Sequence, residues 1–220
     1  MCAAEVIGMQ FSISLVLELI GTVAFAASGA MVGIRKKMDI LGISVLALCV
    51  AVGGGVIRDI LLGSTPPKTF QHPIYALCAV SVAIVLFVPG VRRFFSRHNL
   101  MYEFNMLWMD SLGLGIFTAM GVQRCFQVVP EAGGFLAVFV GVMTGVGGGV
   151  LRDVLAGDMP YIFVKHFYAS ASIIGAVVTV LMWGHFSESL CLIVGAACVI
   201  VLRFLAAKFH WSLPKAEDSL

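Results

Sequence analysis

Charge is what this sequence has least of. Aspartate, glutamate, lysine and arginine make up 12% of its 220 residues, about half the share usual in soluble globular proteins. Set beside 60% hydrophobic residues, that scarcity excludes an ordinary soluble domain and places the chain in lipid. The formal net charge is +2 and no long basic run occurs, so nothing here is built to neutralise a nucleic-acid backbone. Paired cysteine motifs are missing as well. The six cysteines stand at positions 2, 49, 78, 125, 191 and 198 without a CxxC or finger spacing, and read as small apolar side chains.

The signatures of common enzymes are equally absent. Five histidines, at 72, 98, 166, 185 and 210, form no HExxH. The glycine-rich stretches lack the GK[ST] ending of a phosphate loop and do not fit GxGxxG. An enzyme is therefore not expected, and neither is a cofactor. The tripeptide AFA at 24–26 resembles a signal-cleavage site, but no basic residue precedes the first apolar run and Glu18 interrupts it, so none is expected.

What the sequence has is length of apolar run. A bilayer core takes about 17–25 apolar residues per helix, and seven stretches qualify, at 11–33, 39–63, 73–90, 104–122, 133–157, 165–183 and 187–207. Basic residues alternate in the connections. Arg35, Lys36 and Lys37, then Arg92, Arg93 and Arg97, then Lys165, and finally Arg203, Lys208 and Lys215 fall on one side, against Lys68 and Arg124 on the other. The positive-inside rule then predicts an N-terminus outside the cytoplasm and a cytoplasmic tail at 208–220.

Two of these stretches carry the same unusual text. "GGGVIRD" at 53–59 returns as "GGGVLRD" at 147–153. Gly63 and Pro66 match Gly157 and Pro160, and upstream Glu18, Gly21, Phe25 and Gly29 fall against Asp110, Gly113, Phe117 and Gly121. The chain thus reads as an all-α membrane protein with one three-helix repeat at 11–90, a second at 104–183 and a seventh helix at 187–207. Each repeat holds an odd number of spans, so the second enters the membrane upside down, the inverted layout of many transporters and pores.

Three glycines in a row weaken a helix by about 1 kcal/mol each relative to alanine. Gly53, Gly54, Gly55 and Gly147, Gly148, Gly149 are expected to let spans two and five kink or unwind, freeing carbonyls that only water, protein or a cation can satisfy. Close helix packing is the other reading, since Gly141, Gly145 and Gly149 recur at every fourth residue. Neighbouring side chains on a helix point about 100° apart, so Arg58 and Asp59 are not expected to pair. Depth instead suggests Glu18 with Arg58 and Asp110 with Arg152. Asp59 and Asp153 are then left uncompensated, an interior with surplus negative charge that draws cations, the other reading being structural salt bridges to partners elsewhere in the fold.

The doubled motif, the span count and the inverted repeat resemble the prokaryotic branch of the trimeric intracellular cation channel family over nearly all of residues 11–207. The resemblance implies a homotrimer in the membrane lipid of a bacterial inner membrane, each protomer conducting K+ and to some degree Na+ past the bends at the triple glycines. It puts Arg58, Asp59, Arg152 and Asp153 next in line after those bends; together with the pairing expected from depth, Asp59 and Asp153 are expected on the cation path, and Arg58, Arg152, Glu18 and Asp110 as structural or gating charges. A metal beyond transient K+ or Na+ is not implied. The basic lipid pocket of animal members has no counterpart here. Bacterial proteins with this pattern are also labelled glycine transporters, so a carrier of glycine or another small amino acid remains the alternative.

Overall fold

The computed structural model describes residues 13–96, 99–164 and 167–211, the side chains at 93–96 and 164 excepted. Cys2, Arg97, His98, Lys165, His166, Lys215 and the tail from 212 lie outside the described residues. Within them the secondary structure is helical: α1 Ile13–Arg35, α2 Ile40–Leu61, α3 Lys68–Gln71, α4 Ile74–Phe87, α5 Pro89–Ser96, α6 Asn99–Val128, α7 Gly134–Leu155, α8 Tyr161–Val164, α9 Tyr168–Met182 and α10 Glu188–Lys208.

Local chemistry sets several of these ends. Asp39 caps α2 by accepting a hydrogen bond from the Gly42 amide at 2.6 Å. Gly63 and Gly157 follow the last turns of α2 and α7 with positive φ, 67° and 71°, the conformation in which glycine avoids a Cβ clash. Four helices, α1, α2, α7 and α10, are long and apolar enough to cross a membrane. The expected third and sixth spans are shorter: α4 has 14 residues and α9 has 15. At 1.5 Å per residue these rise only about 21–23 Å, short of the roughly 30 Å of a hydrocarbon core. The fourth is longer than the 104–122 expected, because α6 runs for 30 residues.

Helices α1, α2 and α4 pack as one group and α6, α7 and α9 as another, with α10 against α6 and α9. The groups meet where α1 crosses α6 and α2 crosses α7. On α1, Gly21 faces Phe117 and Phe25 faces Gly113, so these two helices run antiparallel. Large apolar side chains point outward in number, among them Phe135 at 86% exposure and Leu181 at 71%, a surface suited to lipid or to other subunits rather than water.

The triple glycines do not unwind their helices. Both α2 and α7 are helical without interruption through Gly55 and Gly149, so the expected release of carbonyls is corrected. What the glycines provide is close approach. A Cβ on Gly54 would strike the Thr144 carbonyl oxygen, and one on Gly148 would strike the Val50 carbonyl oxygen and the Phe25 ring. Gly147 lies against the Cα of Gly54, its own added Cβ 3.1 Å away. Backbone therefore meets backbone at the α2–α7 crossing, and backbone cannot turn aside as a side chain can.

Gly55 is the internal control, because a Cβ there meets nothing nearer than 3.7 Å. Gly54→Ala is expected to lower the thermal stability of the detergent-solubilised protein by about 1–3 kcal/mol, the usual cost of overpacking. Gly55→Ala should be neutral or gain up to about 1 kcal/mol from helix propensity. Equal melting temperatures for the two variants would contradict the crossing described.

Candidate ion path and its charged clusters

Two charged clusters are built from equivalent parts of the two helix groups. In the first, Asp59 at the end of α2 accepts from Arg58 Nε at 2.8 Å on one carboxylate oxygen, and from the Lys68 backbone amide at 2.8 Å on the other. In the second, Asp153 at the end of α7 accepts from Arg152 Nε at 2.8 Å and from the Tyr161 backbone amide at 2.8 Å. The Asp59 carbonyl accepts from the Ser64 amide and the Asp153 carbonyl from the Asp158 amide, both at 2.8 Å. Each aspartate thus pins the chain that leaves its helix.

Neighbouring arginine and aspartate do pair, against expectation. The 100° between adjacent positions fixes only where each Cβ starts; the long arginine side chain curls back, and it donates from Nε rather than from its tip. Asp59 and Asp153 are consequently compensated, and Arg124 Nε adds a third charge 3.9 Å from Asp59. The surplus of acid expected inside each half is therefore overturned.

The partners of Glu18 and Asp110 differ from each other. Glu18 accepts from the Tyr75 hydroxyl at 2.5 Å and from Lys68 Nζ at 3.1 and 3.3 Å. Arg58, its expected partner, is turned to Asp59 and shares only a cavity with it. Asp110 does meet Arg152, at 2.5 Å from Nη1, and also accepts from the Tyr168 hydroxyl at 3.4 Å. Arg203 of α10 lies 3.8 Å from its other oxygen and stacks over the Tyr168 ring. Arg152 Nη1 donates further to Ser28 on α1 at 2.6 Å, and the guanidinium stacks over Tyr161 at 4.7 Å.

Lys68, Tyr75, Tyr168, Ser28 and Arg203 were not singled out for the site from sequence. The tyrosines carry a signal in the repeat, since both open the third helix of their half. Arg203 was read as marking a cytoplasmic end, yet it sits inside α10 and is 4% exposed. An ionisable residue within an apolar helix ordinarily faces protein or water.

Two cavities reach these clusters. One of about 30 Å³, room for a water molecule or two, is lined by Glu18, Arg58, Gly55, Lys68, Tyr75 and Phe117 among others. The other, about 530 Å³, ends on Asp110 and Arg203 and is bordered by Tyr161, Glu103, His210 and Trp211. Within the second cluster, Asp110 Oδ2, Arg152 Nη2 and Arg203 Nε are buried without a hydrogen-bond partner; of these residues Asp110 and Arg203 border the cavity, where solvent would satisfy them.

Removing one member of a fully buried pair leaves the other charge stranded, at about 3–5 kcal/mol. Arg152→Met is expected to destabilise the protein by that amount, and adding Asp110→Asn to recover part of it. Lys36→Met, which breaks an exposed pair with Asp158, should cost less than about 1 kcal/mol. Additive losses in the Asp110–Arg152 pair, read from denaturation midpoints, would contradict direct coupling.

Comparison with known proteins agrees with this architecture. The family model described as glycine transporter matches residues 15–89 and 107–184, one block for each half. A UPF0126 membrane protein of Deinococcus radiodurans is 36% identical, over 90% of this chain and 89% of its own. The UPF0126 inner membrane protein YadS of Escherichia coli is 35% identical, over 90% and 93%. Among solved structures, a TRIC cation channel superposes with a TM-score of 0.81 at 35% identity, covering 93% of this chain and 98% of its own. The trimeric intracellular cation channel orthologue of Rhodobacter sphaeroides gives 0.81 at 33%, covering 90% and 98%. Matches of this extent, spanning both halves of the duplicated pattern, make the chain a member of the prokaryotic branch of the trimeric intracellular cation channel family.

Proposed function

We propose that this protein is a K+-permeable cation channel of a bacterial inner membrane, with Na+ as a second permeant ion. Seven spans (α1, α2, α4, α6, α7, α9 and α10) form two inverted three-helix halves and an added helix, with the N-terminus outside and the tail cytoplasmic. The protein assembles as a homotrimer, each protomer having its own path between α1, α2, α6 and α7. The observation that carries this reading is the pair of cavities, one reaching Glu18 and the other Asp110. With α1 antiparallel to α6, these acids lie toward opposite ends of the helix pair, one carboxylate for a cation entering from either side. The solved TRIC relatives, described as cation channels, support it.

A carrier of glycine or a similar zwitterion is the second reading. It is favoured by the name of the matching family model and by the presence of an acid and a base in each cavity, Glu18 with Lys68 and Asp110 with Arg203. Repeat halves that rock about a central site would then move the substrate.

A planar bilayer under a KCl gradient separates the two. Single-channel steps that reverse at the K+ equilibrium potential are expected from the purified protein. Electrical silence together with saturable glycine uptake into liposomes would replace the channel with the carrier.

A further inference from the structure

Midway between the two charged clusters stands a pair of aromatic rings that the mechanism so far leaves unused. Phe25 of α1 and Phe117 of α6 lie with centroids 5.3 Å apart, their planes tilted by 37°. They occupy matching places in the sequence repeat. Phe25 is 1% exposed and Phe117 8%, and their positions along the helices explain what they part. On α1, Glu18 belongs to the first cluster and Ser28, through Arg152, to the second; Phe25 lies between. On α6, Asp110 belongs to the second cluster, while Phe117, two turns on, forms a wall of the Glu18 cavity.

Each ring has its own glycine seat. A Cβ on Gly113 would overlap the Phe25 ring, and one on Gly148 would come within 2.9 Å of its other edge. A Cβ on Gly21 would sit 3.2 Å from the Phe117 ring. The glycines at these sites therefore hold the rings across the axis between the cavities as well as bringing helices together. Two phenyl rings packed together offer a cation no oxygen ligand and cannot hold a water file, the condition under which an apolar constriction blocks ions by dewetting. Resting on the cation-channel reading, the geometry points to Phe25 and Phe117 as a hydrophobic gate, closed in this conformation, that separates the Glu18 and Asp110 cavities.

The seat of Phe25 is coupled to charge. Ser28, one turn along α1, accepts from Arg152 Nη1, so the buried guanidinium that pairs with Asp110 also steadies the helix carrying the ring. Opening then requires α1 to turn or slide relative to α7, and the Arg152–Ser28 bond resists it.

The test is single-channel recording of the full-length protein in planar bilayers with symmetrical KCl. Phe117→Ala is expected to raise open probability at least tenfold, and Phe117→Leu, which stays apolar and bulky, to remain within about threefold of the parent. Phe117→Asn, close in size to leucine but hydrated, should behave like the alanine variant, so a conducting result does not depend on one substitution folding. Ser28→Ala should raise open probability without changing unit conductance. A parent that conducts K+ while the alanine and asparagine variants keep its open probability within twofold overturns the gate and leaves the channel intact. Silence from the parent and all variants, each eluting as the same assembly from a sizing column, overturns the channel reading and the gate with it.

Discussion

A guanidinium group with no exposed surface governs this structure. Arg152 is 0% exposed, and a charge so placed is tolerated only when neighbours satisfy it. It pairs with Asp153 on its own helix, Asp110 on α6, Ser28 on α1 and the face of Tyr161 at α8. One side chain thereby fixes three long helices and the connection that follows α7. The glycines are the other half of the same arrangement. A side chain at Gly148 or Gly54 would separate α2 from α7, and Arg152, one turn beyond Gly148, would lose its distance to Ser28 and Asp110.

The two halves solve one problem with different parts. Each has an acid that accepts from a tyrosine, Glu18 with Tyr75 and Asp110 with Tyr168, and each acid has a further cation nearby. In the first half that cation is Lys68, at the start of a short helix, its side chain 37% exposed. In the second it is Arg203, delivered by α10 with its side chain 5% exposed. Helix α10 is thus more than an appendage to a six-helix repeat, since it supplies what the connection after α2 supplies opposite. A compact, flexible ammonium in one cavity and a planar guanidinium stacked on tyrosine in the other are not interchangeable, so the two faces of the protein differ in how readily their acids are uncovered.

Much of the fold could be read from the sequence because lipid allows few solutions. Apolar runs of the right length must be helices, and a motif as specific as GGGV-hydrophobic-RD, found twice, identifies the matched halves. At Gly53 to Gly55 and Gly147 to Gly149 the sequence leaves the consequence open, since weak propensity permits a break without requiring one. Tertiary contact decided it: the crossing partners of Gly54 and Gly148 reward a continuous helix. The charge pairs failed for a different reason. Helical angle ranks neighbours by Cβ direction and says little about the tip of an arginine, so Arg58 with Asp59 was dismissed although both lie in the last turn, where a side chain can fold back. Lys68 and Arg203 were counted as loop charges, because a hydropathy reading sees distance from span centres and not which way a helix face turns.

Balanced charge changes how a cation would be accommodated. Carbonyls along α2 and α7 are engaged within unbroken helices, so they cannot replace an ion's hydration shell in this conformation. The carboxylates of Asp59 and Asp153 are held on both oxygens by an arginine and a backbone amide. Glu18 and Asp110 are buried acids that border cavities, and each has a tethered cation within 4 Å. On the channel proposed above, a cation arriving at either would compete with Lys68 or Arg203 for the same oxygens. Such competition keeps the buried site neutral when empty and when occupied, avoiding the cost of a bare carboxylate in low dielectric. In such a channel ion entry and side-chain release would be a single event, so the pairs that satisfy these buried acids would also set the threshold for an ion to enter.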